Sequence, residues 1–231
     1  MPRVLLLHGL SSSPAALWRL QESFKNAGWT TEAIVLRGHG GQPPATDYSL
    51  SSYASDLAPT GPWDLVVAHS LGASAATLAA AADPGWTARL VLLEPVWRIA
   101  AEDESPVIAD QREELGLTRS QLEAAKPHWD RRDIDAKLDA IARVDHEAVT
   151  RTFTDTSRWD ITAAAATLGV PTLVLAGDPD VYTMLDPADV VAVRERARHV
   201  DYRVVPGAGH SPHLDAPDQT QELLLTWLES Q

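Results

Sequence analysis

An open, mostly parallel α/β sheet of about six strands, with helices on both faces and an inserted helical cap, is the fold class this sequence predicts. Three observations point to it. Short apolar runs recur at 4–7, 33–36, 65–68, 90–93, 172–176 and 202–205. Most are continuous in Val and Leu rather than alternating, the pattern of strands buried on both faces of a parallel sheet. Helical segments separate them, at 14–27, 50–57, 71–82, 188–198 and 217–229, as crossover connections between parallel strands require. One connection, from Glu94 to Val170, is far longer than the roughly one or two dozen residues a crossover needs.

The elements follow in order. Met1-Pro2-Arg3 leads straight into the first apolar run without a longer apolar segment or a cleavage site, so no signal peptide is expected. Pro14 after three serines starts the first helix, with Ser13 as its candidate N-cap. The alanine-rich stretches at 73–82 and 163–166 read as helix from propensity. Asp186-Pro187 and Ala216-Pro217 open the last two helices. The long connection has helical stretches at 110–115, 120–125 and 134–144, is dense in charge, and carries Phe153 and three tryptophans. It predicts a folded cap over the sheet edge, dividing the chain into a core of residues 1–95 and 160–231 and a cap of 96–159. Trp97, Trp129 and Trp159 are candidate substrate contacts, and equally candidates for packing the cap onto the core.

Composition excludes several function classes. Hydrophobic residues at 45% and charged residues at 22% are ordinary globular usage. The absence of cysteine excludes disulfides, thiolate metal sites and a Cys nucleophile. With 19 basic against 32 acidic residues the formal charge is −13, which argues against nucleic-acid and anionic-membrane partners. The longest apolar runs fall well short of the roughly 20 residues of a membrane span. A cytoplasmic protein with a small-molecule substrate, no cofactor and no metal is expected, and the oligomeric state stays open.

The strongest chemical signal is Leu65-Val66-Val67-Ala68-His69-Ser70-Leu71-Gly72-Ala73. A strand-to-helix turn with small flanking residues lifts a Ser Oγ off the sheet edge, and the helix N-terminus behind it offers N–H donors to a developing oxyanion. A serine needs a base. After the last strand, Pro206-Gly207-Ala208-Gly209-His210-Ser211-Pro212-His213 presents two histidines. His210 lies nearest the strand, and His213 reads as exposed or helix-capping. Among the other histidines, His8, His39 and His69 read as local hydrogen-bonding residues. An acid must orient the base. The fifth strand ends in Gly177-Asp178-Pro179-Asp180, where Asp180 suits a reach toward the His loop and Asp178 reads as a turn former. Glu94, after the fourth strand, is the third choice. Ser, then Asp, then His is one of the known triad orders. A second oxyanion donor is expected at Leu10, with Gly9 permitting an unusual backbone angle to aim it; Leu71 supplies the first.

Together Leu7-His8-Gly9, Leu36-Arg37-Gly38-His39-Gly40, Ala68-His69-Ser70-Leu71-Gly72, Gly177-Asp178-Pro179-Asp180 and Gly207-Ala208-Gly209-His210 resemble the α/β-hydrolase superfamily, in the group carrying a helical cap. Order and spacing follow along nearly the whole chain. The resemblance implies Ser70 as nucleophile, His210 as base, Leu10 and Leu71 as oxyanion donors, and Asp180 as acid, because the acid usually falls three residues after that glycine. Some relatives carry the acid at the fourth-strand position, Glu94 here. The chain starts at what resembles the family's third strand, so the usual N-terminal antiparallel pair is expected to be missing. Relatives that attack with Asp or Cys differ at the position of Ser70. A serine implies acyl chemistry through an acyl-enzyme, on an ester, lactone, thioester or amide. A hydrolase of a carboxylic ester or lactone is the leading expectation, and Trp97, Trp129 and Trp159 suggest a small, largely apolar substrate. Lyases, C–C bond hydrolases and thioesterases share a similar triad, and a non-catalytic ligand receptor is the remaining alternative.

Overall fold

The computed structural model describes residues 1–231. Six strands form one sheet: β1 (Arg3–Leu7), β2 (Thr30–Ile34), β3 (Leu65–His69), β4 (Leu90–Leu93), β5 (Thr172–Ala176) and β6 (Val200–Val204). Their order is β2-β1-β3-β4-β5-β6 and every pairing is parallel. Strand β1 is bounded by β2 on one side and β3 on the other, so the direction of winding reverses between β1 and β3. Ligands in open α/β sheets bind outside the strand ends at such a switch point, and here it joins the loop after β1 to the turn holding Ser70.

The central strands are continuously apolar because both faces are covered. Leu5, Leu7, Val66, Ala68, Leu90, Leu92 and Val174 point to one face; Val4, Leu6, Leu65, Val67, Val91, Leu93, Leu173 and Leu175 point to the other. The first face packs against α2 (Leu50–Leu57), α3 (Leu71–Ala82) and α9 (Pro187–Arg196), the second against α1 (Trp18–Asn26) and α11 (Pro217–Glu229). Helix α3 is apolar on nearly all sides, with nine of its residues buried, as a helix wedged between sheet and neighbours must be. Gly72 marks its close approach to the sheet: a Cβ there would lie 2.6 Å from the His8 carbonyl oxygen.

The two edge strands depart from the expected positions. β2 lies at 30–34 rather than 33–36, and β6 begins at Val200 rather than 202. An edge strand has one open side, so Thr30, Thr31 and Glu32 are tolerated there and the apolar signal fades. The helix expected over 14–27 is a 3-10 turn at Pro14–Leu17 followed by α1. Ser13 makes no capping hydrogen bond and its hydroxyl is buried without a partner. Asp186 does cap α9, accepting from the Ala188 N–H at 2.8 Å.

Between β4 and β5 the chain forms α4 (Glu104–Glu114), α5 (Arg119–Ala125), α6 (Arg131–Arg143), α7 (His146–Thr154) and α8 (Thr162–Ala165). Helix α4 starts six residues before the expected 110–115; it buries no residue fully, so it has no apolar stripe to betray its length. Capping boxes start two of these helices, Thr118 with Gln121 for α5 and Asp130 with Asp133 for α6. The insertion is fastened to the rest of the chain by polar contacts. The buried Asp133 carboxylate accepts from Arg19 Nη1 at 2.6 and 2.8 Å and from Trp18 Nε1 at 2.7 Å. Tyr48 donates its hydroxyl to Asp145 at 2.9 Å, and Arg151 donates to the Thr46 carbonyl at 2.7 Å. No helix is long and apolar enough to cross a membrane. A short α10 (Pro212–Asp215) lies between β6 and α11.

Candidate active site

The β3–α3 turn holds Ser70 at φ 49°, ψ −115°, a conformation that costs a non-glycine residue free energy and persists only when its surroundings fix it. The Ser70 N–H donates to the Leu93 carbonyl at 3.0 Å, and the Ser70 carbonyl accepts from Ser74 N at 2.9 Å. Gly9 leaves the space the turn requires, since a Cβ on it would meet His69 Nδ1 at 2.8 Å and Ser70 Cβ at 3.1 Å. Close approach, not a left-handed angle, is thus what asks for glycine here. The left-handed residue in that loop is Ser11, at φ 53°.

His210, in the loop after β6, brings its Nε2 to 2.9 Å from Ser70 Oγ. Its Nδ1 lies 3.0 Å from Glu94 Oε2. A carboxylate only accepts, so Nδ1 carries the proton and Nε2 is left as acceptor for the serine hydroxyl. The backbone of the His loop is held as well, because His69 Nε2 donates to the His210 carbonyl at 2.8 Å.

The carboxylate beside His210 is therefore Glu94, not Asp180. Glu94 directly follows β4, at φ 48°, with its side chain fully buried. It accepts from Gly177 N at 2.7 Å, Thr183 Oγ1 at 2.6 Å and Met184 N at 3.0 Å besides the imidazole. Four donors satisfy a buried charge that would otherwise be very costly. Asp180 is exposed, and its N–H donates to Asp178 Oδ1 at 3.0 Å. The physical reason is the turn itself: Asp178 accepts from both Asp180 N and Gly207 N, which folds Gly177-Asp178-Pro179-Asp180 outward against the β6 loop. These two N–H bonds, Gly207 first, hold the Asp178 carboxyl below its usual range.

Leu10 and Leu71 both line the cavity that opens onto Ser70. Leu71 is the first residue of α3, so its N–H has no acceptor within the helix. The Leu10 N–H likewise donates to no other group of the chain. The peptide that carries it is fixed, because His8 Nδ1 donates to the Gly9 carbonyl at 2.8 Å while His8 Nε2 accepts from Leu36 N at 3.1 Å.

The cavity measures about 90 Å³. Val96, Ile99, Val107, Phe153, Trp159 and Met184 form its apolar part, and Ser12, Gln111, Glu114 and Lys137 a polar part. Of the three tryptophans singled out in the sequence, Trp129 and Trp159 line it and Trp97 does not. Trp97 is wholly buried in the main core, where its indole N–H donates to Thr77 Oγ1 of α3 at 3.4 Å. His213, expected at the surface, is buried and lines the cavity, 4.6 Å from the His69 ring. Burial pushes its imidazole down to about 4. Desolvation does the same to His39, to about 4, to His8, to about 3, and to His69, well below the ordinary range. No group of His, Asp and Glu side chains is arranged to hold a metal ion.

Comparison with known proteins matches residues 4–223 to the model of the Alpha/beta hydrolase family. The sn-1-specific diacylglycerol lipase ABHD11 of Mus musculus is 24% identical over 99% of this chain and 81% of its own length. Among solved structures, E-2-(acetamidomethylene)succinate hydrolase superposes with a TM-score of 0.82 at 22% identity, covering 99% of this chain and 91% of that one. An esterase from Exiguobacterium antarcticum gives 0.81 at 15% identity, covering 99% and 92%.

Proposed function

The chain belongs to the alpha/beta hydrolase family, and on that premise we propose that it is a serine hydrolase cleaving a carboxylic ester or lactone of a small, largely apolar substrate. One observation carries the reading: Ser70 Oγ, His210 and Glu94 form a continuous hydrogen-bonded line, 2.9 and 3.0 Å long at its two links, at the wall of a small cavity. In this reading His210 Nε2 takes the Ser70 proton as Oγ attacks the acyl carbonyl, and Glu94 stabilises the imidazolium that forms. The Leu10 and Leu71 N–H groups receive the oxyanion. Collapse expels the alcohol, protonated by His210, and leaves an acyl-Ser70. The same imidazole then activates water to hydrolyse it. Residues 96–159 act as the cap that shapes the acyl site, with Phe153 and Trp159 on its apolar wall.

The relatives support the class of reaction rather than the substrate. The mouse lipase and the Exiguobacterium enzyme act on esters by their names. The test is turnover of p-nitrophenyl acetate by the native chain and by Ser70→Ala. The native chain hydrolyses it, and the variant loses about 10⁴-fold or more in kcat with an unchanged circular dichroism spectrum. Undiminished turnover in Ser70→Ala, or an inert native chain across a panel of short esters and lactones, overturns the reading.

A further inference from the structure

We propose that Lys137 is a positioning residue: from the insertion, it fixes the loop that carries the Leu10 N–H. The inference rests on the proposed role of Leu10 as an oxyanion donor and goes beyond it. Three consecutive peptides of this loop are each held by a side chain rather than by secondary structure. His8 Nδ1 donates to the Gly9 carbonyl at 2.8 Å. The Ser11 N–H donates to His39 Nε2 at 3.2 Å. Lys137 Nζ donates to the Ser11 carbonyl at 3.0 Å. The first two holders come from the loops after β1 and β2; the third comes from α6.

The need for a third holder lies in Ser11. Its φ of 53° is a conformation a serine adopts only under constraint, and its own hydroxyl is buried with no partner, so the side chain contributes no local hydrogen bond to stabilise it. Without a donor on its carbonyl, only the His39 bond to its N–H opposes relaxation toward negative φ. Such relaxation would rotate the adjoining peptides, Leu10 among them. Lys137 is built to resist this. It lies one turn after Asp133, the residue that clamps α6 to Arg19 and Trp18, so both project from the same helix face. Its ammonium is paired with Glu114 Oε1 of α4 at 2.9 Å, and its side chain is only 11% exposed. Lys137 has no hydrogen bond to Ser70 or His210; its effect on the reaction passes through Ser11.

The experiment compares Lys137→Met, which keeps the stem and removes the donor, with Lys137→Arg, which keeps a donor. Steady-state hydrolysis of p-nitrophenyl acetate is measured together with binding of a trifluoromethyl ketone, whose adduct with Ser70 carries an oxyanion. Lys137→Met is expected to lower kcat about tenfold with KM unchanged, and to weaken the ketone by about the same factor, since a loosened donor costs less than a deleted one. Lys137→Arg is expected to recover most of both. A loss confined to KM would make Lys137 a substrate contact, and native kcat in Lys137→Met would leave it only a tie between α6, α4 and the loop; either result overturns the proposal. Amide hydrogen exchange over residues 9–12 is measured on the same proteins and needs no turnover. It accelerates in Lys137→Met if the proposal holds, and unchanged exchange overturns it even for a chain inert on esters, whereas that inertness would count only against the esterase reading.

Discussion

Two neighbouring strands end in two acidic loops, and they treat their carboxylates in opposite ways. After β4, Glu94 turns back at φ 48° and enters the protein, where Gly177, Thr183, Met184 and His210 all donate to it. After β5, Asp178 and Asp180 stay in water, and Asp178 spends its lone pairs on backbone N–H groups of the turn. The β5 loop has not lost its connection to the site. It contributes three donors to the carboxylate of the other loop, so the acid and its support come from different strands. What orients an imidazole, then, is not the loop a carboxylate comes from but whether the fold surrounds that carboxylate with donors and excludes water around it.

The comparison is broken most directly by exchanging which acid is removed. Glu94→Ala is expected to lower kcat for p-nitrophenyl acetate by about 10³- to 10⁴-fold, the order found when a triad acid is removed. Asp180→Ala is expected to stay within about twofold of the native chain, as a change at an exposed turn should. Equal losses in both, or the larger loss in Asp180→Ala, would overturn the assignment of Glu94. The sheet and most of the site were legible in the sequence, and this was the part that was not. The central strands announced themselves because burial on both faces demands an unbroken apolar run. Ser70 and His210 were fixed by the turns they occupy. The choice among Asp178, Asp180 and Glu94 depended on where donors converge in space, which residue spacing does not encode. One signal did favour Glu94: a carboxylate directly after the wholly apolar Leu90–Leu93 begins inside the protein, where acids are rare unless paired. Trp97 lies in the main core instead of at the cavity, because so soon after β4 the chain is still buried.

Acid extends the contrast between buried and exposed titratable groups. His8, His39, His69 and His213 are buried neutral, with desolvation as the main cause of their lowered values. In the unfolded chain each protonates near 6.5. Above that pH both states are neutral and these groups leave stability unchanged. Between 6.5 and about 4, where His39 and His213 titrate in the fold, the unfolded state binds protons that the folded state refuses. Stability therefore falls as pH drops, by roughly 1.4 kcal/mol per pH unit for each such imidazole. Asp178 adds nothing over the same interval, because its carboxyl protonates only near 3.8 in the unfolded chain and lower still in the fold. Urea unfolding at pH 7 and pH 5 checks this: the midpoint is expected to be clearly lower at pH 5. An unchanged midpoint would mean that the four rings are not held neutral.

The smallest expected effect tests the claim that the β5 loop serves the carboxylate of its neighbour. Thr183 Oγ1 donates to Glu94 Oε1 at 2.6 Å and also accepts from the Leu185 N–H at 3.1 Å. Thr183→Val keeps the shape and removes both bonds. Glu94 would retain Gly177 N, Met184 N and His210, so its charge stays buried with one donor fewer. A hydrogen bond to a charged group is worth about 1.5–3 kcal/mol, but neighbouring donors can tighten around the vacancy, and the expected loss in kcat is about tenfold or less. Thr183→Ser, which restores the hydroxyl, should recover it. If Thr183→Val turned over p-nitrophenyl acetate at the native rate, the Thr183 hydroxyl would not help to orient Glu94, and the Gly177 and Met184 N–H groups of the β5 loop would suffice.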